Sequence, residues 1–189
     1  MANTLPGVAR KHPQSAYSGL QKSLQQDWSF VQRVALDIGD AFRPVEQALR
    51  EVFIQSLFQG LIEVIPGRGV IHLPMKQAGL AFPDPTKTAA EKWMEYCVIT
   101  GHLVADLRGQ EEFRTSYHAT YMREGREEAR KRNTLRSDEA LEETLEGAPV
   151  HVACRLWWAK KTGAWLTVQP STVNGTGLGA QEWRDALLL

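Results

Sequence analysis

Between residues 66 and 86 a proline or glycine falls every few positions, at Pro66, Gly67, Gly69, Pro74, Gly79, Pro83 and Pro85. Proline lacks the amide N–H that a helix interior or a central strand needs, and glycine loses the most backbone freedom on being fixed. No regular element of ordinary length can cross this stretch. The chain must therefore fold as two patterned parts joined by an ordered crossing loop. A short strand over Val70-Ile71-His72-Leu73 would have to stop at Pro74.

Both flanks carry helical periodicity. Leu20, Leu24, Trp28, Val31 and Ala35 step by four, four, three and four, which predicts a helix from about Ser15 to Ala35 with that face inward. Gly39 and Asp40 break it, and Pro44 suits the first turn of a second helix with Val45, Leu49, Val52, Phe53 and Leu57 inward. The short break predicts an antiparallel helical hairpin. Thr88-Ala89-Ala90-Glu91 matches a capping box, predicting a third helix with Trp93, Cys97, Leu103, Val104 and Leu107 inward and a costly Gly101 inside it. A polar helix follows over 110–132 with a narrow stripe of Phe113, Tyr117 and Tyr121, then a short acidic helix capped by Ser137 and ended by Gly147 and Pro149. Further on come a helix from Val150 to Lys161 with Val152, Leu156 and Trp157 inward, an extended piece over Ala164–Val168, a loop over 171–179 and a last helix from Ala180 to Leu189. The expected fold class is mostly α: a helical bundle-like domain over 14–189 with a Pro/Gly-rich crossing loop, a possible sub-boundary in 66–86, and little or no sheet. Residues 1–13 are expected to be a loose lead-in.

Charge excludes some functions. Lys plus Arg and Asp plus Glu both number 22, so no global field draws the chain to nucleic acid or to a membrane. No apolar run approaches a membrane span, and the first twelve residues do not resemble a secretory signal. The expectation is an intracellular protein, cytoplasmic or nuclear, without membrane contact. Cys97 and Cys154 should then be free thiols, and the Asn174-Gly175-Thr176 acceptor pattern a polar turn.

Catalytic chemistry finds little footing. There is no Asp-Asp pair, and in particular no Tyr-x-Asp-Asp sequence to hold two metal ions for nucleotidyl transfer. His151 and Cys154 stand one helical turn apart, and Cys97 and His102 form a second loose pair, but the close cysteine pairs of a zinc site are missing. Buried cysteines and surface histidines account for them better. No Gly-x-Ser-x-Gly elbow exists, and His72, His102 and His118 fall on different elements. Gly175, Gly177 and Gly179 resemble a phosphate-cradling turn only in composition, without a flanking strand or a following lysine. No metal and no cofactor is implied.

One charge feature remains. Arg123, Arg126, Arg130, Lys131, Arg132 and Arg136 outnumber Glu124, Glu127 and Glu128, and Asp138 to Glu146 then reverses the sign. Glu127 to Lys131 and Glu128 to Arg132 are spaced for mutual neutralisation, so much of this is expected to be a self-paired, solvated face, with contact to a nucleic-acid backbone as the alternative. The six tryptophans, Trp28, Trp93, Trp157, Trp158, Trp165 and Trp183, are expected in core or interface rather than stacked on bases.

Three segments carry a family resemblance. The stretch from Pro13 to Arg33, PQSAYSGLQKSLQQDWSFVQR, resembles the segment just after the reverse transcriptase palm in a large group of eukaryotic retroelement polyproteins. Leu73-Pro74-Met75-Lys76-Gln77-Ala78-Gly79-Leu80 with Asp84-Pro85-Thr86 is similar to that group's Leu-Pro-x-(Lys/Arg)-x-Gly-Gly-Leu and Asn-Pro-Thr landmarks. Thr162-Gly163-Ala164-Trp165-Leu166, Pro170–Thr176 and Gln181–Leu187 resemble its third block. Ala78 stands where the group usually has glycine, and Gly177 where an acidic residue is common. The resemblance covers nearly the whole chain in the family order. It implies a helical thumb and connection region that helps hold template and primer, lying after the catalytic palm and before a Cys/His cluster.

Two functions follow as expectations. One is a non-catalytic remnant of a retrotransposon reverse-transcriptase-like protein (parent activity RNA-directed DNA polymerase), contacting RNA or DNA backbone through Lys22, Arg33, Arg123, Arg126, Arg130, Lys131 and Arg132. The alternative is a helical module that binds a protein partner or a second copy through apolar faces, without nucleic-acid binding.

Overall fold

A computed structural model of the protein describes residues 5–59, 67–109, 115–160 and 162–188. Pro66, Phe113, Lys161, Leu189 and the start of the lead-in lie outside them. Among the described residues there are eight α-helices and no strand, so the chain is mostly α. Part of the lead-in is α1, Leu5–Lys11. Ala9 in it is fully buried, so tertiary packing orders a stretch whose local composition argues for a loop.

The first long helix, α2, is α-helical over Pro13–Gly19 and Gln25–Val34, with a π-helical turn over Leu20–Leu24 between them. That turn revises the expected face. One wide turn advances the inward position from Leu20 to Gln25, so Leu24 and Val31 face outward and Gln32 is buried. Next, α3 runs through Arg43–Ala48, a π turn over Leu49–Phe53, and Ile54–Phe58, with Pro44 in its first turn as expected. Its π turn leaves Val52 exposed while Phe53, Ile54, Leu57 and Phe58 go inward. The end of α3 meets α1 and the start of α2, as an antiparallel arrangement requires.

The crossing segment holds α4, Gly67–His72, where a short strand was conceivable, then a 3-10 turn over Met75–Gln77. Helix α5, Pro85–Leu107, begins three residues before the expected Thr88 cap. Asp84 is the actual cap: its Oδ1 accepts from the Thr86 amide at 2.9 Å and from the Thr86 hydroxyl at 2.6 Å. Thr88 instead donates to the Asp84 carbonyl at 3.0 Å. Of the residues expected inward on this helix, Trp93 and Leu103 are half-buried, whereas Cys97, Val104 and Leu107 are exposed.

The polar and acidic helices expected as separate pieces are one helix, α6, Thr115–Glu146. Ser137 does not cap anything, because its hydroxyl donates to the Asn133 carbonyl one turn back at 2.7 Å. The helix returns antiparallel along α5: Gly125 packs on Ile99, His102 stacks on Tyr121 with ring centroids 3.6 Å apart, and Arg136 reaches Glu91. Then follow α7, Val150–Ala159, a 3-10 turn over Gly163–Thr167 in place of the expected extended piece, a turn-rich loop, and α8, Ala180–Leu188.

The core forms where the two ends of the chain meet. The Trp183 ring of α8 lies 5.7 Å from that of Tyr17, 6.3 Å from Phe58 and 6.5 Å from Trp165. Phe82 of the crossing segment closes the cluster, 5.2 Å from Tyr17 and 5.9 Å from Phe53.

Candidate nucleic-acid interface

The seven basic residues singled out by sequence divide into three places. Arg123, Arg126, Arg130, Lys131 and Arg132 are all exposed on α6, a 32-residue helix, about 48 Å long at the usual rise. Its apolar residues form no continuous stripe, so most of its surface faces solvent. Arg123, Arg126 and Arg130 share one side by their i, i+3, i+7 spacing. The expected neutralisation is incomplete. Arg132 pairs with Glu128 at 3.2 Å, and Arg136 crosses to Glu91 at 2.6 Å. Among the described residues no carboxylate closes on Arg123, Arg126, Arg130 or Lys131, and the i, i+4 partner Glu127 does not reach Lys131.

Lys22 lies elsewhere, on the π turn of α2, and its ammonium donates to the Thr167 carbonyl at 3.3 Å. Arg33, near the end of α2, is exposed at the rim of a cleft of ≈ 1040 Å³. This cleft runs between α2, α5, the lower half of α6 and the crossing segment. Arg33, Lys87, Lys92 and Arg136 line it together with Asp84, Glu91, Glu95 and Glu143. Four cations against four carboxylates make a poor phosphate site. Burial raises the Glu91 carboxyl above its ordinary value; Arg136 opposes that shift and the neighbouring Glu95 adds to it. His72, also in the cleft wall, holds the Phe82 carbonyl through Nδ1, which must carry the proton because a carbonyl only accepts. The structure thus brings five of the seven residues to one helix and leaves Lys22 and Arg33 apart from them.

Sequence reasoning missed the polar groups that join the three distant segments. The inward side of α2 is lined by amides that grip main-chain carbonyls of the crossing segment. Tyr17 Oη and Gln21 Nε2 both donate to the Leu80 carbonyl, at 3.0 and 2.9 Å, Gln25 reaches Ala81 at 3.5 Å, and Gln32 reaches Pro85 at 2.6 Å. Burial raises the Tyr17 phenol, which therefore stays a neutral donor. Gln14 binds the last segment from both ends of its amide, donating to the Thr176 carbonyl at 3.0 Å and accepting from the Leu178 amide at 2.8 Å. Gly163 meets the Met75 carbonyl so closely that a Cβ would overlap it. The signal was visible as the run of Gln14, Gln21, Gln25, Gln26 and Gln32, but polar residues at helical spacing ordinarily mean a solvated face.

Arg184 is the second omission. It is only 4% exposed and has carbonyls as its partners, donating to Leu57 and Arg10 at 2.8 Å each and to Ala9 at 3.5 Å. These carbonyls belong to the last turns of α1 and α3, where helix geometry leaves them unpaired and the dipole is negative. Burial lowers the guanidinium's proton affinity, yet arginine remains charged at any ordinary pH.

The remaining candidates are dispersed. Cys97 and Cys154, expected buried, are both free and exposed, because among the described residues no element packs over their sides of α5 and α7. Among the described residues no three His, Cys, Asp or Glu side chains gather closely enough to hold a metal ion. No described helix is long and apolar enough to cross a membrane. Asn174 and Gly175 lie in a turn, with Gly175 at φ +65°. Of the tryptophans, Trp183 is fully buried and Trp28, Trp93 and Trp165 are half-buried, but Trp157 and Trp158 are 59% and 81% exposed. No known protein family, curated protein or solved structure matches the chain.

Proposed function

We propose that the chain is a non-catalytic, thumb-like helical segment of a retroelement reverse-transcriptase-like protein, and that α6 contacts the phosphate backbone of a template–primer duplex. The observation that carries this reading is the set of exposed, unneutralised cations Arg123, Arg126, Arg130 and Lys131 within nine residues of one helix. A long polar helix rests along a phosphate row without needing base contacts, and its free guanidinium groups release counterions on binding. The neutral total charge does not oppose this, because five of the eight acids of α6 lie from Asp138 onward. The resemblance of Pro13–Arg33, of Leu73–Leu80 with Asp84–Thr86, and of Thr162–Leu166, Pro170–Thr176 and Gln181–Leu187 to the post-palm region supplies the biological setting.

The test is binding of the full chain to an RNA–DNA hybrid across a salt series. Wild type should weaken steeply with salt. Arg123→Gln, Arg126→Gln and Arg130→Gln together should reduce the slope of log K against log salt by about two to three, at about 0.9 per lost phosphate contact. Absent or salt-insensitive binding would refute the reading.

A second reading has its own observation. Along the outer part of the α5–α6 hairpin Met94, Val98, Val104, Leu107, Tyr117 and Tyr121 are exposed, Leu107 to 79%. Exposed apolar groups clustered on one hairpin suit a protein partner or a second copy.

A further inference from the structure

Helix α6 changes sign partway along its length. From Arg123 to Arg136 six cations outnumber three carboxylates, whereas Ser137 to Glu146 holds five carboxylates and no cation. Those five, Asp138, Glu139, Glu142, Glu143 and Glu146, are all exposed. The Gln77 amide donates to Asp138 at 2.6 Å, but among the described residues no cation closes on the other four. Of the carboxylates in the basic half, Glu128 is already paired with Arg132, so Glu124 and Glu127 are what offsets Arg123, Arg126, Arg130 and Lys131 there.

Both halves belong to one continuous helix. At the usual rise, Arg123 to Lys131 spans about 12 Å of it, and Glu139, Glu142 and Glu146 stand about 12, 17 and 23 Å beyond Lys131. Charges act over about 8 Å at physiological ionic strength. A phosphate row that followed the helix past Lys131 would therefore enter the field of Asp138 and Glu139 and then lie on Glu142 and Glu146. Like charges set together reject a docking geometry as surely as favourable contacts select one. The surroundings of the two halves differ in the same sense. The basic half packs on α5, Gly125 against Ile99, whereas the acidic half is flanked by α4, where Thr144 meets Gly69, by α7 and by the 3-10 turn at Gln77.

We infer that a nucleic acid crosses α6 over its basic half, and that Glu139, Glu142 and Glu146 fix the crossing by repelling any phosphate row that runs on along the helix. The inference rests on the proposal that α6 contacts the backbone, and it adds the residues that determine how the backbone is placed. Asp138 and Glu143 have less part in it, since Asp138 is held by Gln77 and Glu143 lines the cleft. The bound stretch is then short. At 3.4 Å per step of a strand, about 12 Å of helix meets about four successive phosphates, whereas the whole of α6 would span about fourteen.

Binding of the full chain to RNA–DNA hybrids of two lengths, about 8 and about 16 base pairs, tests the inference, the shorter exceeding the crossing and the longer matching the whole helix. Corrected for the number of sites, wild type should bind both equally and with the same salt slope. Glu139→Gln, Glu142→Gln and Glu146→Gln together should raise affinity roughly 3- to 10-fold, from a small gain for each exposed charge removed. Glutamine has the helix propensity of glutamate, so the fold is kept. Asp27→Asn, Asp37→Asn and Glu51→Gln together change the total charge equally but lie on α2, its following turn and α3, and should leave affinity unchanged. Tighter binding and a steeper salt slope on the longer hybrid would overturn the inference, because the row would then follow the helix. So would an unchanged affinity in the α6 glutamine variant, or an equal gain in both triple variants, which would reduce the effect to total charge. Each of these, with salt-dependent binding that still needs Arg123, Arg126 and Arg130, overturns this inference alone. A wild type that binds neither hybrid overturns the reading of α6 as a phosphate contact, and this inference with it.

Discussion

Ala78 holds its backbone at φ +64°, ψ +16°, in the left-handed region, where it ends the 3-10 turn Met75–Gln77. An L-residue with a Cβ is strained there, and glycine is not. Gly79 beside it cannot be anything larger, because a Cβ would overlap the Leu73 carbonyl. The strain relieved by Ala78→Gly outweighs the extra entropy of the unfolded glycine, so the variant should be more stable by about 0.5–1 kcal/mol in denaturant unfolding. A loss of stability would show that the left-handed turn is not held in solution. Arg184 makes the complementary point. Among the described residues no carboxylate answers its charge, and two helix ends converge on it instead, so its importance is invisible without the fold.

At the scale of elements, the π turns of α2 and α3 decide which residues work. Each contains one wide turn, over Leu20–Leu24 and Leu49–Phe53, and each moves the inward face off the strict 3.6-residue period. On α2 the consequence is an amide-lined interior that satisfies the carbonyls of a segment too rich in proline and glycine to pair them in a helix or sheet. The α5–α6 hairpin is tied across its cleft by Glu91 and Arg136. Desolvation outweighs the arginine's attraction and raises the Glu91 carboxyl, so the folded chain holds that proton more tightly than the unfolded chain. The contribution of this group is therefore greatest at acid pH and is lost as pH rises through the raised folded value. Glu91→Gln should remove that loss. In thermal unfolding across a series from acid to neutral pH, the variant should gain on wild type as pH increases; a wild type that gains instead would mean that the pair with Arg136 dominates.

At the scale of the molecule, one core gathers distant segments of the chain. The core joins α1, α2, α3, the crossing segment and α8, so both ends of the chain belong to one packed unit. Phe30, Leu36 and Val173 are exposed elsewhere on the molecule, and the outer α5–α6 hairpin and α7 carry further exposed apolar and basic residues. If those apolar groups are a protein-binding face, Met94→Gln with Leu107→Gln should abolish any concentration-dependent association in sedimentation velocity and leave unfolding within about 0.5 kcal/mol of wild type. Persistent association in the double variant would place the contact elsewhere.

Much of this architecture can be read from residue order. The helical class, the crossing segment, the Pro44 start of α3 and the last helix all follow from local rules of periodicity, capping and proline placement. So does the basic stretch of α6, since covalent sequence alone spaces Arg123, Arg126 and Arg130 on one helical side. Tertiary structure decided the rest. Only packing could turn the glutamines of α2 inward and leave Leu24 and Val31 outside, because the carbonyls they satisfy are contributed from more than fifty residues away. Only packing could bury Arg184 between two helix ends and leave Trp158 uncovered. Burial is a property of what arrives from elsewhere in the chain, and neither a residue's type nor its immediate neighbours contains that information.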